Sequence, residues 1–152
     1  KIARAALHYY LLQISPAKDM VFDPAESLSF TGNTGPYLQY VGARVSSMLR
    51  KESAPSRVEP IKPQSEEEWQ LVHALASYPQ VVHDAASGYN PSLVAGALYE
   101  IAKTFSRFYH DHPIAVADDP TVRNSRLGLS AAVRNVMQHG LNLLNIPFVD
   151  RM

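Results

Sequence analysis

The sequence predicts an all-α fold, a helical bundle of about five or six helices. No run of six or more residues alternates between apolar and polar in the way of a half-buried strand, and no Asn-Gly hairpin turn occurs. Prolines directly follow helix-capping residues at Asp23-Pro24, Asn90-Pro91 and Asp119-Pro120, which is typical of helix starts. From Val94 to Phe108, apolar residues recur at steps of four and three, which indicates an amphipathic helix.

The first predicted helix spans residues 1–14. It ends at Ser15-Pro16, because proline disfavours helical backbone in the residue before it. A short helical turn should begin at Pro24, with Asp23 as its cap. The predicted core face of the first helix consists of Leu7, Tyr10, Leu11 and Ile14.

The second long helix is predicted to begin at Pro36, after the sharp loop Gly32–Gly35, and to run to about Ser53. Residues 54–65 contain three prolines and are predicted to form a loop or linker. The core face of this helix is predicted to consist of Leu38, Val41, Val45 and Met48.

The remaining helices lie in the second half of the chain. A capping box from Ser65 to Glu68 begins one helix, Pro79 is expected to interrupt it, and a further helix should end at Ser87-Gly88. The next helix carries Val94, Leu98, Ile101, Phe105 and Phe108 on its core face. The last helix begins at Pro120 and carries Leu129, Val133, Val136, Gly140 and Leu144 on one face.

The composition of the chain excludes several classes of protein. The 152 residues are 46% hydrophobic and 18% charged, which is typical of one globular domain. The absence of cysteine excludes a disulfide scaffold, a thiolate metal site and a cysteine nucleophile, and the zero net charge excludes a strongly basic nucleic-acid-binding protein. No apolar run approaches the roughly 20 residues of a membrane span. The chain begins in a helical pattern without a cap, so we expect it to be a piece of a longer protein.

No catalytic or metal-binding residue is predicted. The cluster His110-Asp111-His112 lacks a third ligand at the spacing that zinc sites use, so these side chains are expected in a solvated loop. Glu66, Glu67 and Glu68 are interpreted as a solvated first helical turn. No Gly-x-Ser-x-Gly nucleophile motif and no phosphate-binding Gly-Lys-Ser/Thr loop is present.

The helix from Pro36 has a second face, offset by about 100° from its core face. Aromatic rings on such a face can stack on unpaired bases, while arginine offers planar donors and lysine a phosphate contact. The alternative is that the tyrosines are boundary residues with hydrated hydroxyls and that Arg44 pairs with an acid. This face consists of Tyr37, Tyr40, Arg44, Ser47 and Lys51.

Three segments resemble a known family. The run G-N-T-G-P-Y-L-Q-Y-V-G-A-R from Gly32 to Arg44 is similar to the opening of the anticodon-binding domain of arginyl-tRNA synthetases. Residues 9–23 and 132–152 resemble the stretches before that domain and at its end. The domain takes its name from an Asp-Ala-Leu-Arg signature, and here that place has Ala5-Ala6-Leu7-His8, so only the middle pair matches.

The resemblance implies a fold of the class I aminoacyl-tRNA synthetase anticodon-binding type and a role in ATP-dependent arginylation of tRNA(Arg). The full-length enzyme would be an arginine–tRNA ligase that uses ATP and magnesium in a catalytic domain. The His-Ile-Gly-His-like and Lys-Met-Ser-Lys-Ser-like motifs of that domain are absent from these 152 residues. We therefore expect this chain to be the C-terminal part, to need no cofactor of its own and to be inactive alone.

The resemblance also implies which residues bind the tRNA anticodon loop. The tyrosines and arginine of the opening helix, an aromatic late in the penultimate long helix and the terminal methionine line the pocket in the family. Asn33 and Gln39 are further candidates from the opening segment, and Lys51 is one from the helical face. The family positions fall on Tyr37, Tyr40, Arg44, Tyr109 and Met152.

The expected organisation is a connector over residues 1–35 and an anticodon-binding helical bundle over residues 36–152. The expected partners are the tRNA(Arg) anticodon stem-loop and the catalytic domain of the same chain, in a cytoplasmic monomer that does not contact membranes. Three alternatives stay open. They are the anticodon-binding domain of another class I synthetase, a helical protein–protein interaction module with Trp69 and the tyrosines as contacts, and a small hydrolase using His110 and Asp111.

Overall fold

The computed structural model describes residues 1–52, 63–114, 117 and 119–152, and within these ranges it contains six helices and no strand. The all-α prediction is confirmed. Most of the predicted loop at 54–65 lies outside the described residues. The helices are α1 (Ile2–Leu12), α2 (Pro24–Ser27), α3 (Gly35–Lys51), α4 (Glu66–Ser87), α5 (Ser92–Asp111) and α6 (Pro120–Leu143).

Side-chain caps fix most of the helix starts. Asp23 accepts hydrogen bonds from two backbone N–H groups in the first turn of α2, and Asp119 accepts one from the backbone N–H of Thr121 in α6. Ser65 caps α4 by accepting from the backbone N–H of Glu68. The start of α3 lies one residue earlier than predicted, because Thr34 is the cap and accepts from the backbone N–H of Tyr37.

Helix α3 packs against α1, α5 and α6, while α4 packs mainly on α5. The predicted core faces of α3 and α5 are confirmed, since every residue assigned to them is buried. The α5–α6 contact is close because Gly140 has no side chain. A Cβ atom there would lie 2.5 Å from a methyl group of Leu98.

The predicted core face of α1 is wrong for two of its four residues. Leu7 and Leu11 are about half exposed, and the buried residues of α1 are Ala5, Ala6, Tyr9 and Tyr10. The reason is the close approach of α3, whose Gly35 lies so near the carbonyl of Ala5 that a Cβ atom would overlap it. Small alanine side chains fit this contact, whereas leucine would not.

Pro79 does not interrupt α4, which is one continuous helix, so this prediction is wrong. The proline ring lies on the exposed side of the helix. The turns before and after it are held against the rest of the bundle by the buried side chains of Leu71, Tyr78 and Ala85. Packing of these residues outweighs the local cost of a proline inside a helix.

The predicted solvated first turn of α4 is right for Glu66, which is exposed, but wrong for Glu68 and Glu67. Glu68 is only 2% exposed, and its carboxylate accepts a hydrogen bond from Nε of Arg126 at 2.7 Å. Arg126 also donates to the carbonyl of Pro113. Glu67 pairs with His112, whose Nε2 lies 3.1 Å from the carboxylate, so His112 is not a free loop residue. This turn faces the start of α6 and the end of α5, which sequence periodicity did not show.

Candidate nucleic-acid interface

The second face of α3 lies at the surface, as the sequence predicts. Burial of the core face turns Tyr40 outward, with 43% of its surface exposed. Lys51 is also exposed, at the C-terminal end of the helix. Arg44 and Ser47 between them are partly buried. The helix therefore presents an aromatic ring and cationic groups along one line, where an unpaired base and phosphates could be contacted together.

Helix α5 supplies the second side of this surface. The guanidinium carbon of Arg44 lies over the ring of Tyr109, 4.0 Å from its centroid, which is a cation–π contact. Tyr109 is itself held by the buried ring of Phe105, with centroids 5.9 Å apart. The structure thus brings into contact Arg44 and Tyr109, two residues that the resemblance assigned to one pocket.

Tyr37 is less available than Tyr40. Its hydroxyl is 3.1 Å from Oγ of Ser106, and its ring meets the edge of Tyr99 with centroids 6.1 Å apart. The side chain is partly buried between α3 and α5. Tyr37 therefore joins the two helices and offers only part of its ring to a ligand.

Gln39 does not lie on this surface. Its side chain is completely buried, and Nε2 donates to the carbonyl of Pro147 at 2.7 Å, so the prediction of a direct tRNA contact does not fit this position. Asn33 is exposed in the loop before α3, where its Oδ1 accepts a hydrogen bond from the hydroxyl of Tyr9. Both residues thus hold parts of the chain in place around α3.

The C-terminal tail lies along the other side of α3. Arg134 donates to Asp150 at 2.8 Å and to Oγ of Ser46 at 3.0 Å. The ring of Phe148 lies over Gly42, where a Cβ atom would be 2.7 Å from a ring carbon. These contacts place the tail beside the surface, and Met152 is 54% exposed at its end.

Sequence analysis missed the residues that hold the tail. The one available signal was Gly42, a glycine inside an otherwise strong helical pattern, which often marks a close packing contact. The hydrogen bond from Arg134 lowers the pKa of the Asp150 carboxyl below its usual range, so the pair is charged at neutral pH.

Within residues 1–52, 63–114, 117 and 119–152, no group of three histidine, aspartate or glutamate side chains could hold a metal ion. No helix in the described part of the chain is both long enough and apolar enough to cross a bilayer.

Comparison with known proteins gives one family. Residues 38–152 match the family described as DALR anticodon binding domain. The arginine–tRNA ligases of Treponema pallidum and Treponema denticola are 52% and 47% identical over 99% of this chain, which spans only 27% of the length of each. The predicted division at residue 35 stays a prediction.

Solved structures give the same result. The arginyl-tRNA synthetase of Thermus thermophilus superposes with a TM-score of 0.90 at 31% identity, over 99% of this chain and 26% of that one. A structure of arginyl-tRNA synthetase from Plasmodium falciparum shares the fold, with a TM-score of 0.81 at 20% identity over 97% of this chain and 26% of that one. With the family match extending over α3 to α6 and the tail, this chain belongs to the DALR anticodon binding domain family.

Proposed function

We propose that this chain binds the anticodon stem-loop of tRNA(Arg) as the C-terminal part of an arginine–tRNA ligase. The observation that carries the proposal is the stacking of Arg44 on Tyr109 next to the exposed ring of Tyr40. The names of the relatives support the choice of tRNA and of arginine.

Each group of the surface has a distinct task in this proposal. Tyr40 stacks on an unpaired base of the loop, because its side chain is exposed at the surface and every base has a π-face. Arg44, held over the ring of Tyr109, offers N–H donors to a base edge or a phosphate. Lys51 contacts the backbone, and Met152 supplies an apolar contact from the tail.

The chemistry of arginylation belongs to the rest of the longer protein in this proposal. The described residues offer no cluster of metal-ligating side chains. We infer that ATP and magnesium bind in a catalytic domain of the same chain, that the enzyme is cytoplasmic and monomeric, and that the 152 residues alone neither activate arginine nor charge tRNA.

Replacement of Tyr40 by alanine tests the proposal. The variant is expected to bind a tRNA(Arg) anticodon stem-loop more weakly by roughly 1–3 kcal/mol, the contribution of one stacked base. Its melting temperature should stay within a few degrees of the parent, because the side chain is exposed rather than in the core. Fluorescence titration and a thermal melt measure the two quantities.

Tyr89→Ala is the matched control, because Tyr89 is 88% exposed in the link between α4 and α5. It should leave the affinity unchanged. Equal effects of the two substitutions would overturn the assignment of the α3 surface.

Stronger binding of the stem-loop from another tRNA would favour a different class I synthetase. A complete lack of RNA binding would favour a protein-interaction module, for which Trp69, 59% exposed on α4, is the candidate contact.

A further inference from the structure

A cleft runs between α3, α6 and the C-terminal tail, on the side of α3 away from Tyr109. Three guanidinium groups and one carboxylate line it, so its side chains carry a surplus of two positive charges. The lining residues are Ser46, Leu49, Arg50, Arg134, Asp150 and Arg151.

The single carboxylate of the cleft is already paired with one of the three guanidinium groups. Asp150 accepts a hydrogen bond from Arg134 at 2.8 Å, and Arg134 is anchored further by Ser46 and by the ring of Phe148, 5.5 Å from its guanidinium carbon. Arg134 is therefore the group that builds the cleft, because it joins α6 to α3 and to the tail.

Within the described residues, the other two cations form no direct ion pair, although Arg50 lies near enough to Asp150 for its charge to help lower the pKa of that carboxyl. Arg50 donates to Oγ of Ser47 at 2.7 Å, and a neutral hydroxyl does not compensate its charge. In the part of the chain that the structure describes, no carboxylate lies within ion-pair distance of Arg50 or Arg151. Both residues are exposed, so they can reach a ligand outside the protein.

We propose that this cleft binds phosphate groups of the RNA backbone through Arg50 and Arg151. The inference rests on the proposed function, since it assumes an RNA loop on α3. At 100° per residue, Tyr40 lies between Arg44 and Arg50 around the axis of α3. A strand stacked on Tyr40 therefore has the Arg44–Tyr109 pair on one side and the cationic cleft on the other. Guanidinium groups suit phosphate because they donate in parallel pairs.

Arg50→Gln and Arg151→Gln test the inference, with Arg4→Gln as the matched control on the exposed side of α1. Each test variant should weaken binding of the tRNA(Arg) anticodon stem-loop by roughly threefold to tenfold and make the slope of log affinity against log salt shallower by about 0.7–0.9. The control should change neither. Arg50→Lys should recover most of the affinity, because it keeps the charge.

A stem-loop with a substituted anticodon separates phosphate contacts from base contacts. Loss of a phosphate contact weakens binding to both loops by the same factor, whereas loss of a base contact changes their ratio. Equal losses for both loops support the inference. Unchanged affinity and slope in both arginine variants overturn it, as does a loss confined to one loop. If Tyr40→Ala still weakens binding in that case, the proposed function stands alone. If the parent chain binds neither loop, both proposals fail.

Discussion

Replacing Glu68 with alanine is expected to lower the free energy of unfolding by about 3–5 kcal/mol, the usual cost of breaking a buried ion pair. Glu68 is 2% exposed, and its carboxylate accepts hydrogen bonds from Nε of Arg126 and from the backbone N–H of Gln64. Truncation would leave the guanidinium of Arg126, which is 9% exposed, without its carboxylate. The start of α4 would also lose its attachment to α6.

Chemical denaturation of both chains measures this change, and the melting temperature should fall by about 10 °C in a domain of this size. Glu66→Ala is the matched control, because Glu66 is exposed in the same turn, and it should cost less than about 1 kcal/mol. The double variant Glu68→Leu with Arg126→Met should recover most of the loss, since no charge then stays buried. Equal effects of Glu66→Ala and Glu68→Ala would contradict the burial of this pair.

Gly35→Ala is expected to destabilise the fold by about 3 kcal/mol, at the upper end of overpacking costs. A Cβ atom at this position would overlap the carbonyl oxygen of Ala5 and lie 2.9 Å from Cβ of Tyr9. A backbone carbonyl cannot rotate aside as a flexible side chain can, so α1 would have to move away from α3. Tyr9 would then lose its hydrogen bond to the carbonyl of Ala95 in α5.

Gly96→Ala in α5 is the control for this prediction, because a Cβ atom there meets no atom within 4 Å. Alanine should stabilise that helix by up to about 1 kcal/mol through its higher helix propensity. Denaturation curves of the two variants should therefore shift in opposite directions. A shift of Gly35→Ala in the stabilising direction would show that α1 does not pack on α3 as described.

Much of the fold was predictable because its causes are local. Capping side chains and N-terminal prolines located the starts of α2 and α6, and periodicity identified the core faces of α3 and α5. The core face of α1 was not predictable, because it depends on how close Gly35 comes to Ala5. The continuity of α4 through Pro79 depends on packing against other helices.

In the candidate site, too, the features that depend on one helix were predictable and the contacts between helices were not. Helical spacing alone placed Tyr40, Arg44 and Lys51 at one surface, because angles around a single helix follow from sequence. The stacking of Arg44 on Tyr109 and the anchoring of the tail by Arg134 join residues from different helices. Such contacts follow from the three-dimensional arrangement and not from spacing.

Photo-cross-linking tests most directly whether the α3 surface contacts the anticodon loop. A tRNA(Arg) stem-loop carrying 4-thiouridine at single loop positions is irradiated with the parent chain, and mass spectrometry maps the attached peptides. The expected cross-links lie in α3 around Tyr40 and Arg44 and in α5 around Tyr109. Cross-links confined to the outer side of α4 around Trp69, or to α1, would contradict the account.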